Sequence, residues 1–226
     1  MRFAVGAGLL SATLTGCASG SAGAAPGGDV PSPVAASAES TTAAAVSGIP
    51  AEALLQPADV RDATGEPLEQ GDFSHVRPLR PCGSDPYPSD STRTDAVAMR
   101  FTVPGAEAGS TPSTVVQFVG RHQAGGADKQ FTEIGAALAE CPGGLGKDQH
   151  KWTIVESDDD SVLVKIEQRF GYADEDPATV AHYAALATVN DAVVVVADLG
   201  WENMDGSEQL VRDLIDKAED RAEIIK

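Results

Sequence analysis

From Ala96 the chain alternates: Val97, Met99, Phe101 and Val103 take every second position, separated by Ala98, Arg100 and Thr102, which predicts a half-buried strand. Val115, Val116, Phe118 and Val119 form the next apolar run. Over Asp128 to Cys141 the spacing changes. Phe131, Ile134 and Leu138 recur at three and four residues, predicting a helix that Pro142-Gly143-Gly144 ends. Two hairpins are expected next. Trp152 to Val155 and Val162 to Phe170 flank Glu156 to Ser161, where Asp158, Asp159 and Asp160 suit a turn. Val162, Val164, Ile166 and Phe170 share one face opposite Lys165, Glu167 and Arg169, so this hairpin has a wet face. Tyr183 to Val189 and Val193 to Leu199 flank Asn190-Asp191, residue types that tolerate positive φ. The unbroken run Val193 to Val196 marks a central strand. Leu210, Val211, Leu214, Ile215, Ala218 and Ala222 then line one stripe of a final helix, with Asp205 and Glu208 placed to cap its start.

Ahead of the first strand, Ile49-Pro50 followed by AEALLQ predicts a short helix, and Pro57 begins a second turn over Ala58 to Asp62. Ala63 to Asp95 is long, irregular and proline-rich, and a loop of that length inside a domain is usually functional or cross-linked. The order helix, two strands, helix, four strands, helix predicts one α+β domain over residues 49–226. Its expected form is an antiparallel sheet of about six strands with helices packed on one face.

The first residues do not belong to that domain. Arg2 precedes an apolar stretch, Phe3 to Leu14, of about 12 residues, short of the roughly 20 that cross a bilayer as a helix. Leu14-Thr15-Gly16-Cys17 is similar to a bacterial lipobox, in which small side chains admit a signal peptidase and the thiol carries diacylglycerol. Residues 1–16 are therefore expected to be a lipoprotein signal peptide, and Cys17 the lipidated first residue of the mature chain. Residues 17–48 are almost all small or apolar, with Asp29 and Glu39 the charges. They read as a lipid-anchored flexible linker, because such a segment buries too little apolar surface to offset its chain entropy. The expected location is the extracytoplasmic face of the cell membrane.

Charge narrows the partners. The chain has 16 basic and 34 acidic residues, a formal charge of −18. Setting aside Arg2, Asp29 and Glu39 leaves 15 against 32 in the domain, so it repels phosphate backbones and is not expected to bind nucleic acid. With Cys17 lipidated, Cys82 and Cys141 remain as an even pair in an exported chain, which reads as a disulfide pinning the proline-rich loop.

No G-x-S-x-G elbow, phosphate loop, GxGxxG or HExxH occurs, and His75, His122, His150 and His182 are scattered without metal-ligand spacing. The acidic groups Asp158 to Asp160, Asp174 to Asp176, and Glu202 with Asp205 lack the register of a calcium loop. No catalytic residue, metal or cofactor is assigned. Arg77 and Arg80, in RPLRPC, form a basic spot on an acidic body, and Tyr172 and Trp201 are aromatics suited to line a groove; these four are the candidate ligand-binding residues.

Several of these features together resemble the extracellular sensor domain of actinobacterial serine/threonine kinases, found also on free-standing lipoproteins. They are IPAEALLQPADV, the Pro81-Cys82 step, ALAEC ending at Cys141, the Trp152 strand, and VNDAVVVVADL before the last helix. The resemblance spans residues 48–226 and implies a mixed α/β domain with a groove for an extracellular ligand. Mycobacterial members tend to carry more cysteines than the one pair present here. The sequence thus points to a non-enzymatic, membrane-anchored ligand-binding or sensor-like lipoprotein, whose partner is an extracellular ligand or an envelope protein. Two other readings stand beside it: an envelope hydrolase with dispersed carboxylates, and an acidic protein–protein adaptor.

Overall fold

The structure is a computed structural model and describes residues 48–83, 86–146, 149–171 and 176–226. The expected signal peptide, Cys17, the expected linker up to residue 47, Tyr172 and Asp174 lie outside the described residues. Single 3-10 turns at Ala51–Ala53 and Pro57–Asp59 open the domain, Pro57 sitting at the first position of its turn, where a missing N–H is harmless. The strands are β1 (Gly65–Pro67), β2 (Arg93–Val103), β3 (Ser113–His122), β4 (His150–Ser157), β5 (Ser161–Phe170), β6 (Ala178–Val189) and β7 (Ala192–Asp198). The helices are α1 (Gly126–Glu140) and α2 (Glu208–Ala222). One sheet runs in the order β1-β2-β3-β7-β6-β5-β4, and every neighbouring pair is antiparallel. The α+β, antiparallel expectation holds. The strand beyond the expected six is β1, whose Gly-Glu-Pro sequence carries no alternation and which pairs only with Met99 to Phe101 at the sheet edge.

The helices differ from expectation: they lie on both faces. Neighbouring residues of a strand point to opposite sides, and β7 is buried along its whole length. Ala192, Val194 and Val196 join a core with Leu210, Val211, Leu214 and Ile215 of α2, whereas Val193, Val195 and Ala197 join another with Ile134 and Leu138 of α1. Each fully buried valine contributes about 1.5–3 kcal/mol relative to exposure, so the central strand demands cover on two sides. The connectivity supplies it. The chain must travel from β3, mid-sheet, to β4 at the far edge, and α1 makes that crossing over one face; α2 returns over the other. The wet face read from Lys165 and Glu167 belongs to β5, which lies next to the edge strand β4, whereas α2 packs chiefly on β6 and β7.

The stripe of α2 is buried as its spacing predicts. Its N-cap is Ser207, whose Oγ accepts from the Leu210 N–H at 3.2 Å, rather than Asp205, which accepts from the Ala181 N–H at 2.7 Å. The turn Asn190-Asp191 joins β6 to β7 with Asn190 at φ 53°. Cys82 and Cys141 are joined by a disulfide, Cα to Cα 6.0 Å, which ties the proline-rich loop to the C-cap of α1.

Candidate functional site

Strand register brings the site together on the α1 face. Trp152 of β4 pairs with Ile166 of β5, and Ile166 pairs with His182 of β6, which makes one row across three strands. The adjoining row is His150, Gln168 and Val180. Paired residues point to the same side of a sheet, so both rows face the loop that precedes the disulfide. That loop lies over them, anchored by the buried Val76 and Leu79, and it delivers His75. The His75 ring stacks on His150 with centroids 4.5 Å apart, and both rings meet Trp152 edge-on at 6.4 and 6.3 Å. Three of the four scattered histidines therefore converge. Sequence reasoning missed them because the parity of a strand becomes a location only once its partners are known. The available signal was that His182 shares its parity with Val180, Ala184 and Leu186.

A cavity of about 430 Å³ opens beside this cluster. Val180, His182, Gln168 and Leu199 are among its lining from the sheet, Phe73 and His75 from the loop, and Gly200, Glu202 and Asn203 from the segment joining β7 to α2. Phe73 holds a left-handed backbone, φ 47°, uncommon for an aromatic residue. A second hollow, about 480 Å³, lies on the far side of His75, between the disulfide loop and His150.

Burial governs the electrostatics. The His75 imidazole is pushed down to about 3, first by burial and then by His150 and His182. His182 is pushed down to about 4 by burial and by His150, against the pull of Asp205. Burial lowers His150 as well, opposed by its hydrogen bond to Gln168. All three are neutral at neutral pH, each ring offering one N–H and one lone pair. His75 Nε2, His182 Nδ1 and Trp152 Nε1 are buried without a hydrogen-bond partner among the described residues. His182 is 8% exposed and Trp152 3%. Each such atom costs about 1–3 kcal/mol when left unsatisfied, unless something enters to bond it. Among the described residues, no three His, Cys, Asp or Glu side chains are arranged to hold a metal ion.

The four candidate residues from the sequence occupy separate places. Arg77 donates through Nη1 to the carbonyls of Glu69 and Asp72, at 2.8 and 2.6 Å, and so closes its own loop. Arg80 pairs with Asp90 at 2.6 Å, lies over the Tyr87 ring at 5.1 Å and borders the second hollow. Trp201 is half-buried, between the cavity residues Gly200 and Glu202. Tyr172 lies outside the described residues. The acidic turn Asp158 to Asp160 is exposed on the β4–β5 hairpin.

No family model matches the chain, and no curated protein does. Among solved structures it is similar to the extracellular domain of PknH from Mycobacterium tuberculosis, with a TM-score of 0.45 and 16% sequence identity, covering 74% of this chain and 93% of that one.

Proposed function

We propose that this chain is an extracytoplasmic lipoprotein, anchored through Cys17, whose domain binds a small ligand in the cavity between His75 and His182 and performs no catalysis of its own. The observation that carries the binding role is His182: nearly fully buried, in the cavity wall, with Nδ1 unpaired among the described residues. Natural interiors bond such atoms, and a concave apolar site with a few convergent polar groups is the usual form of a ligand pocket. The loop bearing His75 is fixed by the disulfide, so the pocket is largely formed before a ligand arrives, which lowers the ordering entropy of binding. Anchoring rests on the lipobox and the linker, and a formal charge of −18 argues against nucleic acid as a partner. In a sensor role, the ligand's message passes to an envelope protein.

Two measurements test this reading. Mass spectrometry of the exported protein should find an acylated Cys17 at the mature N-terminus; an unmodified start there rejects the anchor. A thermal-shift screen of small envelope metabolites and cell-wall fragments should find a stabilising ligand, with the gain lost in His182→Leu. Stabilisation by none of them counts against the binding role.

A further inference from the structure

We infer that the cavity selects uncharged ligands carrying a hydroxyl group on an apolar body, with His75 and His182 reading the hydroxyl. The inference rests on the cavity being the binding site and adds the chemistry that it accepts.

Three observations lead to this class. Phe73, Val180 and Leu199 give the cavity apolar walls, so most of the ligand surface it buries must be apolar. Glu202 is the one charged side chain among its described lining residues, and it is exposed at the mouth. An anion entering would meet that carboxylate and no lysine or arginine among the described lining residues, on a body already strongly negative. The imidazoles report on charge inside. They remain unprotonated because burial penalises a positive charge at that depth, and a ligand ammonium placed against them incurs the same penalty.

The hydroxyl follows from the unpaired atoms. His75 Nε2 and His182 Nδ1 are each a donor in one tautomer and an acceptor in the other. A hydroxyl both donates and accepts, so it satisfies either state. A carbonyl or ether meets only a donor.

The test uses one shape with three charges: 2-naphthalenemethanol, 2-naphthoate and 2-naphthylmethylammonium, titrated at pH 7 into the full chain with methyl-labelled valine and leucine. The alcohol is expected to shift the Val180 and Leu199 methyl resonances saturably and to bind about tenfold tighter than either ion, the worth of roughly one well-made hydrogen bond. His182→Leu should lower its affinity about tenfold. His182→Asn, which keeps a polar atom near the place of Nδ1, should restore part of it. Unchanged Val194 and Val196 methyl signals on the opposite face of β7 report that each variant is folded, and His75→Phe serves where His182→Leu is not. Either ion binding as tightly as the alcohol overturns the selectivity and leaves the cavity as the site. If the alcohol binds equally well to His182→Leu or His75→Phe, the assignment of the histidines is wrong. No probe moving Val180 or Leu199 overturns the cavity itself.

Discussion

His75 stacks on His150 with ring centroids 4.5 Å apart and planes inclined by 14°, one ring from the loop that the disulfide ties down and the other from an edge strand of the sheet. The pair exists only because the loop is wound back over β4, and both rings rest edge-on against Trp152. This contact joins the proline-rich loop to the sheet.

The histidines make folding pH-dependent. In the unfolded chain they titrate near 6.5, whereas in the folded chain His182 and His75 titrate at about 4 and about 3. Between those limits the unfolded state holds more protons, so stability falls as pH falls from about 6.5 toward 4 and levels off once both rings are protonated in the fold. Burial raises the carboxyls of Asp198 and Glu219, which oppose this trend. At Asp59 and Asp90 burial pulls upward but bonds to arginine prevail and lower the pKa, which adds to acid loss at lower pH. Urea unfolding at pH 7, 6 and 5 should show the decline in the wild type, and a shallower one in a His75→Phe, His182→Leu double variant. Comparing the two removes the carboxylate contributions common to both.

The disulfide closes a sequence separation of 59 residues. Chain entropy assigns such a loop about 4 kcal/mol. Cys82→Ser with Cys141→Ser should lower the unfolding free energy by about 2–5 kcal/mol in guanidinium titrations. Because the loop also carries His75 and Phe73, affinity for a cavity ligand should fall in the same variant.

Asp198 is fully buried at the end of β7. Its carboxylate accepts from the N–H groups of Gly200 and Ser207, both at 2.8 Å, and from the Ser113 hydroxyl at 3.2 Å. It therefore fixes the segment that carries Gly200, Glu202 and Asn203 along the cavity and leads to the α2 cap. Asp198→Ala leaves those donors without an acceptor and should cost about 2–4 kcal/mol. Asp198→Asn, which keeps one carbonyl oxygen, should cost less. Thermal unfolding ranks the two.

Two ion-pair sites should respond differently to truncation. Asp90 accepts from the Tyr87 N–H, Arg80, Arg93 and Gln130, and its side chain is 15% exposed. Asp90→Ala removes an acceptor shared by the Tyr87 N–H, Gln130 and two largely buried guanidiniums and should cost about 3 kcal/mol or more. Arg212 joins Glu156 and Glu208 at the solvent-screened surface, so Arg212→Ala should move the denaturant midpoint far less. Denaturant midpoints of the two variants, measured side by side, give the comparison.

Local periodicity alone marked β7 as central, placed the buried stripe of α2 and located the Asn190-Asp191 turn, because each is set by residues within a few positions of one another. The even cysteine pair likewise announced the bond that holds the loop. Tertiary structure decided three things. Helices cover both faces because β3 pairs with β7 across the intervening α1 and β4 to β6, which leaves the middle of the sheet in need of shelter on each side. Gly65 to Pro67 is a strand because the edge of β2 recruits it, with Glu66 paired to Arg100 across the register, and its sequence carries no alternation to announce it. The cavity exists because register sets Gln168 beside Val180, next to His182 on the same face, and the disulfide loop lowers His75 onto them. Alternation tells which side of its own strand a residue takes; which strand lies beside it depends on burial summed over the whole domain.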